Sequence, residues 1–107
     1  IFSTGLLCGT PAPGANRTMI SSISPQTGLL AFSMMGGYFA PELKYAGYDK
    51  IIIKGKSPSP VYLWIHNNKV ELRDASHLKG KSTYDTITSL KEELDEPHSQ
   101  GLAIGLA

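Results

Sequence analysis

Gly36 and Gly37 limit what the middle of this chain can become. Leu29 to Met35 reads as a buried strand, and a glycine pair directly after it favours neither a longer strand nor an uninterrupted helix. Beyond the pair, Pro41 is tolerated in a first helical turn, and Gly47 followed by Tyr48 and Asp49 reads as a helix stop. The segment is therefore expected to run strand, bare turn, short helix. Glycine amides carry no side chain in front of them, so a ligand can approach closely, and a helix start with free amides suits phosphate. The lysine of a P-loop and the third glycine of a dinucleotide fingerprint are both missing. On spacing alone, an anion cradle and a plain strand-to-helix turn both stay open.

The flanking sequence divides in the same way. Ile1 to Gly5 fits a short buried strand, and Thr10 to Asn16, with two prolines and a glycine, fits a loop. Arg17 to Ser24 has the β-branched content of a strand, and Ser24 to Gly28 is a turn. Lys50 to Lys54 is the clearest β-run. Val61 to His66 and Lys69 to Arg73 flank Asn67-Asn68, the turn chemistry of a hairpin. Its Val61, Leu63 and Ile65 should share one face, with Val70 and Leu72 as the matching inward pair. Ser82 to Glu93 is the strongest helix, capped by Ser82 with Asp85 three residues on, and Tyr84, Ile87, Leu90 and Leu94 form the stripe that should face a sheet. Gly101 to Ile104 suggests one more strand. The expected fold class is α+β, with a mainly antiparallel or mixed sheet and two helices.

Composition removes several function classes. A formal charge of +1 gives no electrostatic case for nucleic acid or an anionic membrane, and no apolar run reaches the roughly 20 residues of a membrane span. Cys8 is the one cysteine, so no internal disulfide forms, and a reducing cytoplasm suits the chain. One thiolate cannot hold an iron–sulfur cluster, which takes four. His66, His77 and His98 show no metal-ligand spacing. Asp74, Ser76 and His77 invite comparison with a triad, but they are sequence neighbours after a strand, where an Asp bonding its own loop is the simpler account. Arg17 carries more weight. If Arg17 to Ser24 pairs antiparallel with Leu29 to Met35, the guanidinium lies at the same sheet end as Met35 and the glycine pair, where it can make a forked phosphate contact.

A set of stretches in fixed order resembles one family. Gly5-Leu6-Leu7-Cys8-Gly9-Thr10, Asn16-Arg17, Ser24-Pro25-Gln26-Thr27-Gly28, Gly36-Gly37-Tyr38-Phe39, Glu42 to Asp49 and Arg73 to His77 together resemble the N-terminal domain of the tungsten-containing aldehyde:ferredoxin oxidoreductases. The resemblance covers essentially the whole chain. It implies a β-rich saddle that seats a tungsten bis-pterin cofactor (tungstopterin), with Arg17 and Met34 to Gly37 at the pterin or its phosphates. It also implies magnesium between the two pterin phosphates, with the Met34 main-chain carbonyl among its ligands. Where the aldehyde oxidoreductases commonly carry Asn-Ser, this chain has Met34-Met35; a main-chain ligand survives that change, an Asn side-chain bond does not. The Ser-Met-Met-Gly-Gly form is more similar to the tungsten subunit of class II benzoyl-CoA reductases, which reduce an aromatic ring.

From the resemblance, residues 1–107 are expected to be the central fragment of the tungstopterin-binding domain, truncated at both ends, since Ile1-Phe2-Ser3 has no Met and Leu102 to Ala107 stops within an apolar stretch. The expected partners are the pterin, the rest of the polypeptide, and ferredoxin or electron-transfer subunits. The ligands of a [4Fe–4S] cluster and the acid–base residues would lie beyond residue 107. The parent would oxidise aldehydes to carboxylic acids with ferredoxin as acceptor, or reduce an aromatic acyl-CoA, and the fragment itself would be inactive. Two readings from other classes are a stand-alone anion- or nucleotide-binding module and a structural domain making a subunit contact.

Overall fold

Short β-branched runs between glycine and proline turns give six strands and two α-helices in the computed structural model, which describes residues 1–105. The class is the expected α+β, with every strand pair antiparallel. The chain divides into two units, Ile1–Gly55 and Lys56–Ala107.

In the first unit, β1 (Phe2–Thr4), β2 (Thr18–Ile23), β3 (Leu30–Met35) and β4 (Lys50–Ile51) form a sheet in the order β3-β2-β1-β4. Helix α1 (Phe39–Tyr45) packs on β1 and supplies the buried Ala40 and Leu43; Cys8 and Thr18 are the other buried residues of this unit. The helix ends as its glycine demands. Gly47, at φ +94°, donates to the Lys44 carbonyl and Tyr48 donates to that of Leu43, the paired bonds of a Schellman motif.

Two strand expectations need correction here. Leu29 to Met35 is a strand but not a buried one: Leu30, Phe32 and Met34 are exposed, Phe32 at 68%. Ala31 and Ser33, on the opposite side of the strand, are exposed as well, because α1 packs on β1 and not on this edge. Of Lys50 to Lys54, only Lys50–Ile51 pairs, because β1 is three residues long and offers partners to those two alone. Ile52 and Ile53 are left exposed.

The second unit holds the hairpin of β5 (Val61–His66) and β6 (Lys69–Asp74), a 3₁₀ turn at Ser76–Leu78, and α2 (Thr83–Leu94). Asn67 takes the expected left-handed turn conformation, at φ 53°. The expected inward pair is wrong, since Val70 and Leu72 are exposed while Glu71 and Arg73 are half-buried. On β5 both faces are half-buried, Leu63 and Ile65 on one and Tyr62 and Trp64 on the other, with Val61 exposed, and the polar contacts lie on the aromatic and charged face. Arg73 donates through Nε and Nη2 to Glu71 (2.9 and 2.6 Å) with its guanidinium 6.0 Å from the Trp64 ring, and the Tyr62 hydroxyl donates to Glu93 of α2 at 3.0 Å.

Ser82 caps α2, accepting from the Asp85 amide at 3.1 Å. The reciprocal half of a capping box is absent, because the Ser82 hydroxyl donates to the Asp85 carboxylate instead. Ile87, Leu90 and Leu94 are half-buried as the stripe requires, whereas Tyr84 is exposed. Gly101 to Ile104 forms no strand. It runs irregularly past α2, with Gly101 against Ile87, and Leu106 and Ala107 lie outside the described residues.

Candidate functional site

The register of the first sheet decides which of the singled-out residues meet. The ladder ends at the Thr18–Met35 pair, so Arg17 and Gly36 are the next residues beyond that same end. The expected antiparallel pairing thus brings Arg17 and the glycine pair to one end of the sheet. Arg17 is exposed, and its carbonyl accepts a weak bond from the buried Cys8 thiol at 3.5 Å. Cys8 is therefore a packing residue that ties the loop to the start of β2. That loop is held by Thr10, whose hydroxyl donates to the Leu7 carbonyl (2.7 Å) and accepts from the Ala12 amide (3.3 Å). With Arg17 it surrounds an open hollow of about 390 Å³ between Gly5–Cys8 and Ala12–Ala15.

The glycine pair forms the expected bare turn between strand and helix, but not the helix start itself. Helix α1 starts at Phe39 with Tyr38 as its cap, so Gly36 and Gly37 precede the helix rather than open it, and seven residues build only a weak dipole. The two glycines are also unlike each other. Gly37 has φ +104°, a conformation other residues avoid, whereas Gly36 has negative φ. A Cβ built on either meets nothing within 4 Å. Space therefore lies in front of both, but only Gly37 is required by its own backbone.

Met34 and Met35 separate as well. Successive residues of a strand face opposite sides. Met35 shares the side of Thr18, which is fully buried, and Met34 shares the open side with its partner Met19. The hydrogen-bonding direction alternates too. Ser21 exchanges two bonds with Ile1 (2.8 and 2.9 Å), and Ser24 donates to Leu29 at 2.8 Å. It follows that Ala31, Ser33 and Met35 bond to β2, and that Leu30, Phe32 and Met34 turn their amides and carbonyls away from it. The Met34 carbonyl thus points off the sheet beside Gly36. No Asp, Glu, Lys or Arg occurs from Thr18 to Pro41, which leaves Arg17 as the charge at this end of the strand pair.

Other titratable groups are structural. Lys44 bonds Asp49, tying the end of α1 to the start of β4, and holds that exposed carboxyl below its usual range. Asp74 accepts from the Ser76 hydroxyl (2.7 Å) and amide (3.1 Å), which lowers its pKa, while the His77 Nε2 lies 2.8 Å from Glu93. The triad comparison is thereby excluded, as the loop account requires. Among the described residues, no three His, Cys, Asp or Glu side chains group to hold a metal, and no helix is long and apolar enough to cross a membrane. The sequence missed the hollow beside Arg17, whose only signal was the stiff Thr10 to Asn16 loop. It also missed the packing of Gly9 against Tyr45, where an added Cβ would stand 3.0 Å from Cε1.

Known proteins resemble the chain over 90% or more of its length. The family model described as aldehyde ferredoxin oxidoreductase, N-terminal domain, matches residues 1–107. A tungsten-containing aldehyde ferredoxin oxidoreductase of Pyrococcus abyssi is 51% identical over all 107 residues, which make up 18% of that relative. An aliphatic sulfonate oxidoreductase, WOR-like subunit, of Pyrococcus furiosus is 44% identical over 96 residues, covering 90% of this chain and 15% of its own. A chain of the active site complex BamBC of benzoyl coenzyme A reductase, solved with 1,5-dienoyl-CoA, superposes with TM-score 0.95 at 67% identity, over 97% of this chain and 16% of that one. The chain thus spans less than a fifth of the length of these relatives.

Proposed function

From its membership of the aldehyde ferredoxin oxidoreductase family, to which the chain belongs through the N-terminal domain, we propose that this chain seats a tungsten bis-pterin cofactor inside a larger oxidoreductase. The observation that carries the reading is that Arg17 and Gly36 both lie just past the Thr18–Met35 end of the β2–β3 ladder, with open space in front of both glycines. That end of the sheet fits an anionic, flat group. A guanidinium offers forked, charge-assisted bonds to phosphate oxygens, and backbone without side chains admits close approach. When bound, the tungstopterin supplies the two-electron chemistry, and this chain supplies binding and orientation. Arg17 neutralises phosphate charge. Gly36 and Gly37 would leave room for the ligand edge, and the outward Met34 carbonyl would be available as a magnesium ligand. Met34 would meet the cofactor from the open face, while Met35 holds the strand from the side it shares with Thr18.

Of the two reactions the family resemblance raised, reduction of an aromatic acyl-CoA ring is favoured over oxidation of an aldehyde with ferredoxin. The support is the 67% identity to a benzoyl coenzyme A reductase chain, against 51% to an aldehyde oxidoreductase, together with Met34-Met35 ahead of the glycine pair. A [4Fe–4S] cluster would be ligated outside residues 1–107, and a reducing, cytoplasmic setting suits the lone Cys8.

The test is Arg17→Ala in the natural full-length protein, followed by tungsten, pterin and magnesium content. The expected result is protein of normal secondary structure that loses the cofactor. Full loading of the variant would remove Arg17 from the site. Turnover by the isolated 107 residues, of either an aldehyde or benzoyl-CoA, would overturn the view that the chain is a seat and not a catalyst.

A further inference from the structure

β2 pairs with β1 on one side and β3 on the other, and its first residue, Thr18, is fully buried. The residue after it breaks that pattern. Met19 is 38% exposed although it lies in an interior strand, and it stands directly opposite Met34, which is 57% exposed. Ser33 and Met35 are the residues bonded to β2, so Met19 and Met34 form a non-hydrogen-bonded pair, whose side chains stand closer than those of a bonded pair. Two thioethers thus lie side by side on the open face. Beyond Met19 the same row continues with Ser3 and then Lys50, which confines its apolar part to β2 and β3. That part is one step inside the Thr18–Met35 end of the ladder, past which Arg17 and Gly36 lie.

We propose that Met19 is a further binding residue of the cofactor seat, forming with Met34 a two-thioether floor under a flat heterocyclic ring whose anionic end reaches Arg17. The proposal rests on reading this end of the sheet as the seat. Polarizable sulfur makes favourable contacts with aromatic rings, and unbranched side chains adjust to the shape laid on them. Thioethers are weak acceptors and donate nothing, so orientation is left to Arg17 and to the bare backbone of Gly36 and Gly37. The two methionines work as a unit. One Asn in the pair sets an amide against a thioether that cannot satisfy it once a ring covers both, whereas two Asn face each other and can exchange a hydrogen bond. Whether the floor is apolar is therefore decided at Met19 as much as at Met34.

Oxidation footprinting of the natural full-length protein, with and without its cofactor, tests this. Dilute hydrogen peroxide converts accessible methionine to the sulfoxide, and mass spectrometry reads Met19, Met34 and Met35, the three methionines of the chain, separately. Bound cofactor is expected to slow oxidation of Met19 and Met34 together, on the order of tenfold, and to leave half-buried Met35 unchanged. Protection of Met34 without Met19 overturns the proposal and leaves the cofactor seat standing. Equal rates at Met19 with and without cofactor overturn it too, and cofactor retained in Arg17→Ala then removes the seat as well. Protection of all three methionines overturns it by assigning the change to a tightening of the strand pair. Substitution gives a second readout, tungsten and pterin content. Met19→Leu, which keeps the floor apolar, is expected to retain both, and Met19→Asn to lose about as much as Met34→Asn. The variant with both Asn changes is expected to lose less than the two single losses combined. Additive losses, or a fully loaded Met19→Asn protein, refute the pairing.

Discussion

Gly36 and Gly37 sit side by side, yet substitution to alanine should have opposite consequences for folding at the two positions. At Gly36, φ is negative and a Cβ meets nothing within 4 Å, so alanine fits without strain. It removes freedom from the unfolded chain and changes stability by about 0 to +1 kcal/mol. At Gly37 the space is equally open but φ is +104°, so the whole cost is backbone conformation, about 1–3 kcal/mol. The readout is local opening around α1, followed by hydrogen exchange of the amides after Tyr38. At tenfold per 1.4 kcal/mol, Gly37→Ala should speed exchange about 5- to 150-fold, and Gly36→Ala should leave it unchanged or slower. Cofactor content then separates fold from fit. If the pterin lies against this backbone, Gly36→Ala loses tungsten although its α1 exchanges normally, because the new methyl stands where the ligand must. Faster exchange in Gly36→Ala would refute the backbone assignment, and a fully loaded Gly36→Ala protein would refute the close approach.

Three further perturbations read other parts of the fold. Ser82→Ala removes the acceptor of the Asp85 amide and should cost about 1 kcal/mol of α2 stability, visible as faster exchange in its first turn; no change would mean that the cap contributes nothing. Gly9→Ala combines φ +79° with a Cβ 3.0 Å from the Tyr45 ring and should cost about 1–3 kcal/mol. Tyr45→Leu in the same chain should restore only part of it, and full rescue would show that the conformation itself is free. Asp74 has its folded pKa lowered by its bonds from Ser76, so its contribution is present above the ordinary carboxylate range and is lost as pH falls through the lower folded value. Acidification should therefore loosen the Ser76 amide in the natural chain and not in Asp74→Asn, as followed by NMR; an identical acid response would refute the link.

Local chemistry made some elements legible and left others silent. Asn67-Asn68, the Ser82 cap and the Gly47 stop each encode their own geometry, and the hairpin and both helices formed where those residues put them. Partner-dependent features were not legible in that way. The Lys50 to Lys54 run has strong β character throughout, but β1 offers too short a partner, so only two residues pair. Val70 and Leu72 alternate as an inward pair should, yet what covers a hairpin face is a property of its neighbours: the Glu93 bond drew the Tyr62 and Arg73 side toward α2. The Gly101 to Ile104 stretch has apolar residues and stays irregular, although the two-stranded sheet of its unit has a free edge on either side.

The candidate site shows the same division at the scale of single residues. That Arg17 and the glycine pair share a sheet end follows from one register, and the register follows from the Ser24 to Gly28 turn, which is written in the sequence. What the sequence treated as a pair, Met34-Met35, the pleat pulls apart. Only Met34 combines an exposed side chain on the open face with a carbonyl turned off the sheet, whereas Met35 shares its side with the buried Thr18. If the proposed site is right, having Met-Met where the resembled aldehyde oxidoreductases carry Asn-Ser should act on it through the first of the two residues. Met34 replaces an amide that can bond a polar ligand with an apolar thioether, and the main-chain carbonyl is kept. Met35→Leu should disturb packing alone, while Met34→Asn should alter the surface presented to the cofactor and leave the strand intact. Full-length protein carrying each change, compared for pterin content and for its relative rates of aldehyde oxidation and ring reduction, separates the two. Equal effects on the rate ratio would mean that the branch of the family is set elsewhere in the polypeptide.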